Sequence, residues 1–201
     1  MSEMKESGLL FQFEDETYYD IETEKGNISS CKQHVMVCEC VVCPINGKLK
    51  DKVVFIEAKS SAPNKANCKI GVVTNDGVEI DPEHWLLLSP LDIFARDICQ
   101  KFIDSFSLWQ SIHDKFHLDK IKLPRHARKV KNGDHPIFVL VLNNFKEEWL
   151  EPVKYAIENE FRHFLHACNI KPTALKVVNH EMAREQVGLN VAPIAINDIK
   201  K

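Results

Sequence analysis

An α/β fold of the α+β kind is what this sequence predicts, and three observations predict it. Two β-branched runs, HVMVCECVVC (34–43) and KVVFIEAK (52–59), flank a turn-forming segment. A long stretch after residue 89 repeats its apolar residues at helical spacing. A continuous apolar run, IFVLVLN (137–143), is followed by a second stretch of helical period. Strands that alternate with amphipathic helices give a layered α/β domain.

The elements follow in order. LLFQFEDETYYDIE (9–22) reads as one or two strands, with Phe11 and Phe13 alternating against polar neighbours. The runs at 34–43 and 52–59 form a hairpin about PINGKLKD, with Gly47 near its centre. A shorter hairpin is expected next: KIGVV, the turn TNDG, then VEI at 78–80. Ser89-Pro90-Leu91-Asp92 starts a helix: Ser89 caps it, Pro90 fits a first turn that needs no N–H, and Asp92 favours the positive end of the dipole. Leu91, Phe94, Ile98, Phe102, Phe106, Trp109 and Ile112 extend it to about residue 115. The run at 137–143 reads as a central strand, because it is apolar on both faces. Val153, Ile157, Phe161, Phe164 and Cys168 share one face of the following helix, which Pro152 either opens or kinks. ALKVV (174–178) is a last strand, and Asn179 is placed to cap a short helix, HEMAREQ.

The 201 residues suffice for one well-buried domain, and the 44% hydrophobic and 27% charged usage is ordinary for a globular chain. No apolar run approaches a membrane span. MSEMKESG lacks a signal-peptide pattern, and seven cysteines without scaffold spacing suit a reducing cytoplasm. The net charge of −3 conceals an asymmetry. Residues 1–30 carry eight acids against Lys5 and Lys25; residues 120–131 carry Lys120, Lys122, Arg125, Arg128, Lys129 and Lys131 with no acid.

The chemistry is concentrated in the 34–59 hairpin. Alternation puts Glu57 and Lys59 on one face with Phe55 and Val53. Folding about residue 48 sets Glu39 opposite Glu57, Val41 opposite Phe55 and Cys43 opposite Val53. Directly opposed carboxylates repel unless something positive lies between them. A divalent cation is the natural candidate, since Mg²⁺ accepts one or two carboxylates and keeps waters for substrate. Lys59, on the same face, is then placed to orient a water or to stabilise charge building on a phosphate. The bland alternative is an ordinary charge pair on an exposed edge strand, and a slip of one residue in register would separate the acids.

An acid on one strand, E-x-K closing the next, and a helix after it resemble the PD-(D/E)xK, restriction-endonuclease-like, nuclease superfamily. FIEAKSSAP, KFIDSFSLW and FVLVLNNFKEEWLEPVKYAI resemble a bacterial subgroup of uncharacterised proteins within it. The resemblance covers roughly residues 35–190. It implies a mixed central sheet flanked by helices and a Mg²⁺- or Mn²⁺-dependent nuclease site. Glu57 would be the second acidic ligand, Lys59 the catalytic lysine, and the backbone carbonyl of Ala58 a further ligand. Glu39 stands where the superfamily usually has aspartate. Members that lose cleavage can keep binding, so a catalytically inactive subunit that binds a partner protein or nucleic acid is the alternative. A glutamate on an N-terminal helix is common in the superfamily. Here strands are expected in that region, and Glu22 is a lesser candidate. The subgroup's small members suggest an antiviral or mobile-element setting. With so little positive charge, the domain is expected to hold DNA as a homodimer or with a larger partner subunit, RNA being open as a substrate.

Lys65 and Lys69 are placed for backbone contact near a scissile bond, and the basic segment 120–136 is a candidate phosphate-binding surface loop. A solvated loop explains that run equally well. Ser60 is positioned to bond a phosphate or simply to finish the strand, and Gln100 is a helical residue that would reach the site if it took the inward face. Cys38, Cys40 and Cys43 offer no second CxxC for zinc; on a regular strand Cys38 and Cys40 point one way and Cys43 the other. A zinc-bearing interaction domain is therefore a third alternative. His163 and His166, spaced i, i+3, are explained by a polar helix face.

Overall fold

The computed structural model describes residues 1–22, 35–63, 90–114, 123–130 and 136–194. Within them the chain forms two sheets and three helices, a mixed α/β arrangement. The strands are β1 (Ser2–Glu6), β2 (Leu9–Phe13), β3 (Tyr18–Tyr19), β4 (Cys40–Val42), β5 (Val54–Lys59), β6 (Ile137–Leu142), β7 (Leu175–Asn179) and β8 (Val191–Pro193). The helices are α1 (Pro90–His113), α2 (Leu150–Ala167) and the short α3 (His180–Met182), which runs into a π-helical turn over Ala183–Val187.

β3-β4-β5-β6-β7 make a five-stranded sheet, antiparallel from β3 to β5 and parallel from β5 to β7. The hairpin register is the expected one: Cys40 pairs with Ile56, Val41 with Phe55 and Val42 with Val54. Alternation then sorts the side chains. Val41, Cys43, Phe55, Phe138, Leu140 and Val177 face α1 and α2. Cys40, Val42, Val54, Ile56, Val139, Val141 and Val178 face the other way, onto Leu9, Phe11, Val187 and Val191. One face of the large sheet is thus covered by helices, and the other by the small sheet β1-β2-β8 and the turn after α3.

The helical face is held by aromatic packing. Phe138 stacks on Phe55 at 5.2 Å and meets Phe102 at 5.4 Å and Phe161 edge-on at 5.0 Å, so one ring ties β5, β6, α1 and α2 together. Pro152 lies in the first turn of α2 and therefore opens the helix without kinking it. Asn179 caps α3, its side-chain oxygen accepting from the N–H of Met182 at 2.9 Å.

Strand β1 is additional to those expected, and three local expectations are corrected. β1 pairs with β2 through a two-residue turn, Ser7-Gly8, whose φ values of 52° and 76° suit a primed hairpin turn. Strand structure does not run to residue 22: Ile21 and Glu22 are helical. Cys168 is exposed just past the end of α2, and Leu165 takes the inward position. The segment at 123–130 is not a freely solvated loop, because Leu123, Ala127 and Val130 are buried in the main core. The 69–80 hairpin and the Ser89 cap lie outside the described residues.

Candidate active site

Glu57 sits two residues before the end of β5 and is fully buried. Its position follows from alternation, since Phe55, Glu57 and Lys59 project toward α1 in turn. Lys59 Nζ lies 2.7 Å from Glu57 Oε1 and 3.7 Å from Glu39 Oε1. The three residues singled out from the hairpin therefore converge.

A fourth group joins them. Lys101, on α1, places its Nζ 2.7 Å from the same Oε1 of Glu57 and 3.7 Å from Glu39 Oε1. Two ammonium groups thus share one carboxylate oxygen. The second oxygen, Glu57 Oε2, is buried with no hydrogen-bond partner among the described residues. Gln100, the neighbouring residue, is not brought in; it is exposed and donates to Asp104 Oδ1 at 2.7 Å.

Helix α1 also fixes Glu39. Met36 N–H donates to Asp104 Oδ2 at 2.9 Å, and Cys38 N–H donates to Ser105 Oγ at 2.7 Å. Ser105 Oγ in turn donates to the Lys101 carbonyl at 2.6 Å. These bonds turn the chain ahead of β4, which begins only at Cys40, and Glu39 lies at a bend. The bend breaks alternation. Cys38 joins the helical face with Cys43, while Cys40 faces the small sheet, so Cys38 and Cys40 do not share a side.

The electrostatics follow from crowding. Burial and the negative charge of Glu57 push the Glu39 carboxyl up to about 8, against the opposing pull of Lys101. Glu6 adds further negative charge, and the side chain of Glu22 hydrogen-bonds Glu39. Burial alone would lower Lys101, but Glu57 and Glu39 outweigh it and hold the ammonium above its ordinary range. Glu22, reached from a helical residue, is therefore part of the cluster.

Ala58 lies beyond the last pair of the β4–β5 ladder, Cys40 with Ile56. Ser7 Oγ donates to the Ala58 carbonyl at 2.9 Å, and Asn143 Nδ2 donates to the Ser7 carbonyl at 2.9 Å. The β1–β2 turn is in this way pinned over the C-terminal ends of β5 and β6.

A divalent cation fits this donor set in kind. The two carboxylates, with the orphaned Glu57 Oε2 among their oxygens, are hard ligands, and Mg²⁺ is commonly held by one or two carboxylates with waters completing the shell. Among the described residues no group of three or more His, Cys, Asp or Glu side chains is arranged to hold a metal, so the protein's share would be these few oxygens. For zinc, the described cysteines are free and, apart from Cys168, buried, and Cys38 and Cys40 face opposite sides of the sheet.

Among the basic candidates, Arg125 and Lys129 are exposed, while Arg128 Nε donates to the Leu123 carbonyl at 2.7 Å within its own turn. Ser60 is exposed just past β5. Lys65, Lys69, Lys120, Lys122 and Lys131 lie outside the described residues. A groove of about 480 Å³ between Lys52, Gln110, Cys168 and Lys171 is lined by none of the site residues.

Lys101, Ser7 and Glu6 are functional candidates that the hairpin pattern did not supply. Comparison with known proteins finds no matching family model, no similar curated protein and no similar solved structure. The site therefore stands on its own geometry. No helix among the described residues is long and apolar enough to cross a membrane.

Proposed function

We propose that this protein is a metal-dependent nuclease that hydrolyses phosphodiester bonds of DNA, with Glu39, Glu57 and Lys59 at its centre and a restriction-endonuclease-like core around them. The observation that carries the reading is the buried, unpartnered Glu57 Oε2 in a cluster where Glu39 and Lys59 converge. A buried carboxylate oxygen without a partner is costly, and a cation would offset that cost. Mg²⁺ or Mn²⁺, held by Glu39, Glu57 and the Ala58 carbonyl, would supply a water activated for attack.

The chain's own residues account for the rest. Lys59 is one-third exposed and lies at the rim, where it reaches substrate and stabilises charge gathering on a phosphoryl oxygen. Ser7 and Asn143 keep the Ala58 carbonyl aligned. Arg125 and Lys129 are available for backbone phosphates. The acidic balance of −3 favours a homodimer or a larger partner subunit as the means of holding DNA. The free, buried thiols suit a reducing cytoplasm, and an antiviral setting is compatible with a small nuclease of this kind.

A second reading is favoured by one observation: Lys59 and Lys101 both already sit 2.7 Å from Glu57 Oε1. In it the domain is a non-cleaving subunit that binds a partner protein or nucleic acid. The test is incubation of the full chain with plasmid DNA, single-stranded DNA and RNA in Mn²⁺ or Mg²⁺, beside Glu57→Gln and Lys59→Met. Metal-dependent cleavage lost in both variants supports the nuclease. Absence of cleavage on every substrate favours the binding subunit.

A further inference from the structure

The charge count at Glu57 is unusual. Two ammonium groups occupy one carboxylate oxygen, each at 2.7 Å, while each is 3.7 Å from Glu39. Each ammonium repels a divalent cation that would share the Glu57 carboxylate, whereas a phosphodiester brought to the same place attracts all three.

Lys59 is fixed at the end of β5, where its backbone carbonyl accepts from Asn143 N–H at 2.8 Å. Lys101 reaches the same oxygen from helix α1, and its side chain, 19% exposed against 33% for Lys59, has room to turn outward while its backbone stays in place. Resting on the nuclease reading above, we propose that Lys101 is a second substrate-contacting cation. It neutralises Glu57 before the divalent ion arrives, then yields that oxygen and joins Lys59 in gripping the phosphate. Lys101 and the cation compete for Glu57, whereas Lys101 and the substrate cooperate.

The test uses the full chain, with Lys101→Met as a near-isosteric neutral variant, Lys101→Gln as a second neutral variant should methionine be poorly accommodated, and Lys101→Arg as the charge-retaining control. Mn²⁺ affinity is read from the resonance signal of free Mn²⁺, and affinity for a fluorescent single-stranded oligonucleotide from anisotropy in saturating Ca²⁺. Both neutral variants are expected to bind Mn²⁺ about tenfold more tightly and the oligonucleotide about tenfold more weakly, with Lys101→Arg close to wild type in both. Equal or weaker Mn²⁺ binding in the neutral variants, or unchanged oligonucleotide affinity, overturns the proposal while leaving the nuclease reading intact. Failure of wild type and every variant to bind Mn²⁺ overturns the nuclease reading itself, and this proposal with it.

Discussion

Glu39→Gln should make the protein more stable at alkaline pH. Its carboxyl is raised from 4.5 to about 8 by burial and by Glu57, so the folded state holds the proton more tightly than the unfolded chain. For an acid shifted upward, the stabilisation is full below the unfolded value and is lost as pH rises through the folded one. Each pH unit inside that window costs about 1.4 kcal/mol. Between pH 6 and 8 the curve flattens as it nears the folded value, and the loss comes to roughly 2 kcal/mol. Glutamine mimics the protonated acid and removes the dependence. The assay is urea unfolding followed by tryptophan fluorescence at pH 6, 7 and 8, in chelator, for both proteins. The variant is expected to gain on wild type by roughly 2 kcal/mol across that range. Parallel stability profiles would refute the account of two crowded carboxylates.

Ser105→Ala removes the hydroxyl that accepts from the Cys38 N–H; leaving that buried donor unpaired should cost about 1 to 3 kcal/mol in unfolding free energy. Gly8→Ala would place a Cβ 2.7 Å from Asn143 Nδ2 at a φ of 76°, and should cost about 1 to 3 kcal/mol by the same unfolding assay. Phe138→Ala, at the ring that joins β5, β6, α1 and α2, should cost about 3 to 5 kcal/mol. With a thiol reagent and peptide mapping, Cys168 should react before Cys38, Cys40, Cys43 and Cys99, which are buried.

How far the sequence could be read depended on which rule governed each residue. The pairing of Val41 with Phe55 followed from loop symmetry and apolar alternation, and the structure has it. Alternation placed Glu39 on the right face but failed one residue further out, at Cys38, where hydrogen bonds to α1 accompany a bend in the backbone. Lys101 was within reach of the helical period. It falls about 60° from Ile98 around the helix, while Gln100 falls about 160° away, so the inward flank belonged to the lysine. The β1 strand was hidden by its polar residues, although Ser7-Gly8 is a turn signal. Glu22 joins the cluster through a helical start that the preceding strand-like text concealed.

The most direct test is a crystal structure grown in Mn²⁺, with an anomalous difference map. The account predicts a single peak within coordination distance of Glu39, Glu57 and the Ala58 carbonyl, with Lys101 drawn off Glu57. A map without that peak, and with both lysines still on Glu57 Oε1, would contradict it.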